Sequence, residues 1–378
     1  VSAPADSPQS LAGELIRRIR ERGPVTFAEF MRECLYHPEF GYYSRPDPAR
    51  FADFYTSVDV HPIFARLLAR QLAEMWALAG RPGEFHVVEA AAGIGRFASQ
   101  FLKFAARELP DFYAAARYIA VETSAARRAA HGAILAAHAE PGRFHSAGEL
   151  PAGIPCGCIL SNELLDALPV HRVVCEQGDL REVYVAADGH ELREQLGPLS
   201  TPEIELFFRE QGVTLREGQH AEAGLAGCQW LEDAGRRLRR GFVLTVDYGH
   251  EAAELYNERH HRGTALAYAR HTVSEDLLRS PGERDLTAHV SFSALDIRGR
   301  RAGLQRAGLV TQMEFLVAMG RANEFADLYE PDASELEKLR ARLFLKTLIH
   351  PEGMGETFRV LIQHKGIDAP RLTGLAGI

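Results

Sequence analysis

Two carboxylates and two glycines carry the chemistry that can be read first. In "VVEAAAGIGRFA" (87–98) an apolar, β-type run ends on Glu89, and Gly93 and Gly95 follow before a helical pattern begins. In "RYIAVET" (117–123) a second such run ends on Glu122. Glycines lack a Cβ, so the backbone at Gly93 and Gly95 can approach a ligand closely. "GIGRFA" also fits G-x-G-x-x-A, a dinucleotide fingerprint that is weak on its own. A carboxylate in the place of Glu122 can accept both ribose hydroxyls, a role common to several adenosine ligands. Glu89 separates those ligands by charge. It would repel a pyrophosphate and attract a cation, and S-adenosylmethionine carries a sulfonium and an ammonium but no phosphate. The pair therefore predicts S-adenosylmethionine. An NAD(P)-dependent oxidoreductase is the alternative, and a helix cap at Glu89 or a solvated strand end at Glu122 is the bland reading.

A third group is "SNELLDALPV" (161–170), after the fourth strand of the pattern. In a doubly wound sheet that strand adjoins the first. Asn162, Glu163 and Asp166 would then overhang the reactive end of the ligand and could hold a cationic or hydrogen-bonding acceptor. The same residues would also suit a helix N-terminus rich in caps.

The elements that must position these groups follow from periodicity. Residues 62–79 place Ile63, Phe64, Leu67, Leu68, Leu72, Met75 and Trp76 on one helical face. "TFAE" (26–29) has capping-box spacing, and Ser7-Pro8 suits a helix start. From residue 85 short apolar strands alternate with helices near 96–109 and 124–139, the pattern of a parallel sheet covered on both faces. Residues 171–187 read as an antiparallel hairpin turning at Gly178-Asp179, inserted in the parallel pattern. A helix near 220–240 and "GFVLTVDYG" resume it. "VTQMEFLVAM" (310–319) and "ETFRVLIQHKG" (356–366) read as two further strands, with an amphipathic helix over 332–348. The expected organisation is an N-terminal helical lobe over 1–80 and an α/β body over 81–378, with insertions about 171–218 and 250–295.

Bulk composition limits the partners. The chain has 378 residues, 46% apolar and 25% charged, with a formal charge of −8. That balance argues against a broad nucleic-acid face. "RRLRR" (236–240) reads as cations at a helix C-terminus. No run approaches a membrane span, and "VSAPADSPQS" lacks the pattern of a signal peptide, so the expected location is cytoplasmic. Five cysteines without a CxxC pair suit a reducing setting, with one of Cys156 and Cys158 facing the core. Sixteen histidines include "RHH" (259–261), but no HExxH or comparable ligand spacing accompanies them, so no metal is expected.

Several blocks together resemble one family, the MidA-like methyltransferases, whose mitochondrial relatives are complex I assembly factors. The blocks are "GPVTFAEFMRECLYHPEFGYYS" (23–44), "DFYTSVDVHPIFARLLARQLAEMW" (53–76), "VVEAAAGIGRFA", "SNELLDALPVHRVV", "LTVDYG" and "GTALAYARHTVSEDLLRSPGERDLTAHVSFSAL" (263–295). The resemblance implies a Rossmann-like class I methyltransferase: a seven-stranded, mostly parallel sheet with an antiparallel last strand. It implies S-adenosylmethionine held at Glu89, Gly93, Gly95 and Glu122 and covered by Tyr55, Thr56 and Ser57. It implies an acceptor meeting the 162–166 loop, and arginine methylation of a protein, by analogy a respiratory complex I subunit. Three positions depart from the family pattern: Ala91 where glycine is usual, Asp59 where glutamate is usual, and Ser291 where aspartate is usual.

If the acceptor is arginine, Glu163 and Asp166 are the expected carboxylates, projecting from one helical face at i, i+3 spacing. His289 of "DLTAHV" is a proton acceptor or relay, or equally a structural histidine. Asp247 of "VDYG" lines the acceptor channel or anchors its loop, the second being favoured. Tyr42 and Tyr43 cover the adenosine or dock the N-terminal lobe. A chain that binds S-adenosylmethionine without catalysis, as an assembly factor, is the remaining alternative.

Overall fold

Among the described residues the central sheet has eight strands, seven of which form its body: Phe85–Ala90 (β1), Ala116–Val121 (β2), Phe144–Ala147 (β3), Gly157–Asn162 (β4), Gly241–His250 (β5), Gln305–Thr311 (β6) and Phe358–Lys365 (β7); the eighth, Val290–Ser291, pairs only with the end of β5. The computed structural model describes residues 10–44, 61–138, 140, 142–269, 272–330 and 332–377. The strand order is β6-β7-β5-β4-β1-β2-β3. β1 is flanked in parallel by β2 and β4, and β4 in turn by β5. The last strand, β7, runs antiparallel to both β5 and β6. The fold is therefore the Rossmann-like sheet that the family blocks imply. β1 is the first strand and lies where the order reverses, so its carboxyl end and that of β4 frame the ligand crevice of an open α/β sheet.

The reason for this sheet is apolar continuity. β1, β4 and β5 are almost wholly buried, as central parallel strands covered on both faces must be. The helices Ile63–Leu78 (α1) and Arg96–Glu108 (α2) lie in the same core as the sheet. All seven apolar residues read as one face of α1 are buried. Aromatic contacts tie α2 to β2, with the ring centroids of Phe101 and Tyr118 5.5 Å apart.

The chain divides into two compact units, both discontinuous in sequence. The sheet belongs to Tyr55–Leu164, Leu231–Tyr248 and Gly299–Ile378. The other unit joins Val1–Phe54 to Leu165–Trp230 and Gly249–Arg298. This differs from the expected boundary at residue 80: α1 belongs with the sheet, and the two insertions cluster with the N-terminal residues. Within that unit Ser10 caps helix Leu11–Arg22, and Thr26 and Glu29 form the capping box of helix Phe27–Tyr36. The hairpin at 171–187 belongs to a five-stranded antiparallel sheet with Val25–Thr26, Glu191–Gly197 and His220–Ala223. Its turn falls one residue earlier than expected. Glu176 pairs with Asp179, so Gln177 and Gly178 are the turn residues, with φ +56° and +84°, the left-handed pair that a type I′ turn demands.

Three further expectations are corrected. The helix read near 124–139 is three short pieces, Ala125–Arg128, His131–Ile134 and Ala136–His138. The chain bends there to bury the His131 ring, whose nitrogens meet Ser146 Oγ at 2.8 Å and the Gly93 carbonyl at 2.9 Å. "VTQMEFLVAM" is not a strand. β6 ends at Thr311, which starts helix Gln312–Arg321 with a capping box to Glu314; short apolar runs do not distinguish strand from helix by period alone. Residues 163–170 form turns rather than a helix. Ser7 and Pro8 lie outside the described residues. Among the described residues no helix is long and apolar enough to cross a membrane.

Thr311→Ala removes the side-chain acceptor for the Glu314 amide and is expected to lower unfolding stability by about 1 kcal/mol in urea titrations; an unchanged midpoint would contradict a capped helix at this position.

Candidate active site

The carboxyl ends of β1, β2 and β4 bring Glu89, Glu122 and Asn162 to one edge of the sheet. Ala90 pairs with Val121 on one side and Ser161 on the other, so the three residues lie within one step of a common level.

Glu89 is buried, and the Tyr118 hydroxyl donates to its Oε2 at 2.7 Å. Burial pushes the carboxyl up to about 8; the Tyr118 hydrogen bond opposes this rise and the nearby Glu122 charge adds to it. Without a ligand, Glu89 is thus a protonated acid at neutral pH. A cation placed beside it would draw it back to the carboxylate. Burial also raises the Tyr118 hydroxyl, with the Glu89 charge acting in the same direction, so it remains a donor.

The chain after β1 turns through three left-handed residues, Ala91 (φ +58°), Gly93 (φ +57°) and Gly95 (φ +88°), before α2 starts. Open space lies where a Cβ on Gly93 would point, which leaves the turn accessible to a ligand. A Cβ on Gly95 would stand 3.3 Å from the His131 ring. Ala98, the last residue of the fingerprint, is fully buried in the sheet core. At Ala91 the glycine usual in the family has a conformational reason: L-residues in the left-handed region carry a penalty of roughly 1–2 kcal/mol.

Glu122 is buried and fixed by two backbone donors. The Gly93 amide reaches its Oε2 at 3.0 Å and the Ser124 amide its Oε1 at 2.8 Å. One amide on each oxygen leaves further lone pairs for a pair of hydroxyls. The same bond ties the glycine turn to the end of β2.

On the β4 side, Asn162 Nδ2 donates to Glu163 Oε1 at 3.0 Å, while Asn162 Oδ1 is buried and meets no donor among the described residues. Such an acceptor is costly unless something completes it. Glu163 sits at φ +51°, a strained place for a non-glycine residue. Asp247, fully buried, explains the bend: Oδ2 accepts the Leu164 amide at 3.2 Å and Oδ1 the Tyr248 amide at 2.9 Å. The anchoring role favoured for Asp247 is the one seen. Glu163 and Asp166 therefore do not share a helical face. The left-handed residue and the Asp247 anchor replace the expected helix with a turn, and the two carboxylates fall in different units.

Asp166 is buried, its carbonyl accepts the Ala288 amide at 3.0 Å, and its charge raises the Tyr43 and Tyr268 hydroxyls further after burial has raised them. Tyr43 donates to Asp285 at 2.8 Å and Tyr42 is buried with the N-terminal helices, so both dock that unit internally. His289 is pushed down to about 4, first by burial and then by His250 and His260, which makes it neutral and a weak proton acceptor near pH 7. Ser291 is buried, accepts the Ala294 amide and bonds Gln211, a local structural task. Tyr55, Thr56, Ser57 and Asp59 lie outside the described residues. Sequence reasoning missed Tyr118 and His131. Tyr118 reaches Glu89 of β1 from β2, and His131, between β2 and β3, reaches Gly93 of the turn; no spacing rule links either to its partner.

These residues fit an adenosyl cation. A buried acid is available for a positive centre, an open glycine turn for close approach, and a pinned carboxylate for a ribose. Fold and site together define a class I S-adenosylmethionine-dependent methyltransferase. Residues 67–310 match the family model described as "Putative S-adenosyl-L-methionine-dependent methyltransferase", and the chain belongs to that family. It is 28% identical to a Drosophila melanogaster protein named "Protein arginine methyltransferase NDUFAF7 homolog, mitochondrial", over 96% of this chain and 86% of that one. It is likewise 28% identical to the Mus musculus protein arginine methyltransferase NDUFAF7, over 96% and 87%. A Burkholderia thailandensis protein solved with S-adenosyl-homocysteine bound superposes with a TM-score of 0.87 at 29% identity, covering all of this chain and 97% of that one. S-adenosylmethionine is the cofactor.

Because Glu89 is protonated below about pH 8 in the free protein, binding a cation there must release a proton. Affinity for S-adenosylmethionine is expected to rise with pH by up to about tenfold per pH unit until about pH 8 and then level off. Glu89→Gln should weaken binding and flatten that profile in calorimetric titrations; an equally flat wild-type profile would contradict the assignment. Ala91→Gly relieves the left-handed strain at the expense of chain entropy, so stability should rise by up to about 1 kcal/mol in denaturant titration; a loss of that size would mean position 91 is not strained.

Proposed function

We propose that the chain transfers the methyl group to an arginine side chain of a protein, with Asn162 and Glu163 receiving the guanidinium. The observation that carries this reading is the buried Asn162 Oδ1 beside the Glu163 carboxylate, at the end of the strand next to Glu89. A guanidinium has five donors and no acceptor, so it is recognised by fixed oxygen acceptors of this kind. The arginine methyltransferase activity for which the mitochondrial relatives are named supports the same acceptor class. On the family resemblance, the acceptor protein is a respiratory complex I subunit.

When bound, the cofactor supplies a methyl carbon activated by a sulfonium. The work of the protein is positioning. Glu122 and the Gly93 turn hold the adenosyl part, and Glu89 answers its positive charge. Tyr55, Thr56 and Ser57 are proposed to cover it. Alignment of this kind can supply on the order of 7–11 kcal/mol. The arginine nitrogen is a poor nucleophile because its lone pair is delocalised and its pKa exceeds about 12. Asn162 Oδ1 and Glu163 fix that nitrogen and concentrate negative charge beside it. Transfer would break the carbon–sulfur bond of the sulfonium, leaving a neutral thioether, as the N–C bond formed; one guanidinium proton would then leave, and Glu163 would accept it.

Glu163→Gln keeps shape and the bond to Asn162 but cannot take a proton, so labelled-methyl transfer to protein in cell lysate should fall by about 10²–10⁴-fold while cofactor binding persists. Mass spectrometry should find arginine methylation that is present in wild-type cells and missing in deletion cells. Cofactor binding with no transfer by the wild-type chain would instead favour a non-catalytic assembly factor.

A further inference from the structure

Three histidines distant in sequence converge in the unit that holds the insertions. His250 ends β5, His260 closes the 3₁₀ turn Glu258–His260, and His289 directly precedes the short strand Val290–Ser291. Pairing of Gly249 with Val290 brings the first and third together. Each half-buried ring offers one nitrogen, and the three nitrogens lie within 4.8 Å of one another. Ring centroids are 5.5 Å apart for His250–His260 and His250–His289, and 6.0 Å for His260–His289. Their spacing along the chain follows no metal-binding pattern, so only the fold reveals the set.

We propose that His250, His260 and His289 bind one divalent transition-metal ion, zinc foremost. Imidazole ligands suit late first-row metals, and three histidines with a fourth position for water or a carboxylate form a recurrent zinc donor set. Four-coordinate zinc with Zn–N bonds of about 2.0–2.1 Å needs nitrogens about 3.4 Å apart. Side-chain rotations closing the trio by little more than 1 Å would supply that geometry.

The surroundings carry the outer partners that ligating histidines require. His260 Nδ1 lies 3.1 Å from the carbonyls of both Glu254 and Leu255. That fixes the tautomer and leaves Nε2 as the ligating atom. Glu254 Oε2 stands 3.0 Å from His250 Nδ1, the place of a carboxylate that orients a ligating imidazole or that moves onto the metal itself. The ion would staple the end of β5, the 251–262 segment and the start of the Val290–Ser291 strand. This role is independent of the methyl-transfer reading.

The test is a zinc titration of the chelator-stripped full chain, with elemental analysis for stoichiometry. One zinc per chain is expected, with a raised melting temperature. His260→Gln should weaken binding by on the order of 10–100-fold or more. Since His289 directly precedes the paired strand Val290–Ser291 and its replacement would risk disturbing that pairing, His260→Gln, compared with wild type by circular dichroism in the stripped state, is the decisive variant. Cobalt in place of zinc should give the visible bands of a low-coordinate nitrogen/oxygen site without thiolate bands, because none of the five cysteines is a ligand. Failure to bind zinc stoichiometrically, binding undiminished in His260→Gln, or a cobalt–thiolate spectrum would each overturn the proposal.

Discussion

A carboxyl group withdrawn from water at the end of β1 is the constraint on which the site depends. The Glu89 side chain accepts a hydrogen bond from Tyr118 and has a second acid, Glu122, nearby. Such a group is uncomfortable as an anion until a positive charge arrives. The same burial that raises its pKa lowers the local dielectric, so an incoming cation draws the carboxyl into its charged form and is then held strongly, whereas a phosphate gains no such attraction. Selectivity for a sulfonium ligand over a dinucleotide thus follows from where one residue sits in the sheet.

The remaining architecture serves that placement. Parallel pairing with β2 and β4 buries both faces of β1 and sets Glu89 at its exit. The left-handed turn then reverses the chain within a few residues. Glu122 holds the turn through the Gly93 amide, and His131 supports it through the Gly93 carbonyl. On the neighbouring strand, Asp247 captures the Leu164 and Tyr248 amides and so keeps the chain after Glu163 from continuing as strand or helix. Strain at Glu163 is of the kind that surrounding structure must over-determine, and here the fully buried Asp247 does so.

Much of this was legible in the sequence because it is local. The glycine turn, the strand before it, the carboxylate ending β2 and the capping box at Thr26 all announce themselves by residue type and short spacing. The antiparallel last strand was legible only through family resemblance. What escaped reading is non-local. Tyr118 reaches Glu89 from the adjacent strand, and His131 reaches Gly93 from a broken helix. The i, i+3 spacing of Glu163 and Asp166 suggested a shared helical face because nothing nearby in sequence reveals the grip of Asp247 on the intervening amide. The segment 312–319 looked like a strand because an apolar run has no clear period, although Thr311 and Glu314 held the capping signal that would have decided it.

The most direct measurement is the ionisation of Glu89 itself, followed by the side-chain carboxyl carbon signal in isotope-labelled protein, free and saturated with S-adenosylmethionine. A protonated carboxyl titrating near 8 is expected in the free chain, and an ionised one in the complex throughout the neutral range. A signal that is already ionised at neutral pH without ligand, or that stays protonated in the complex, would contradict the central role given to Glu89.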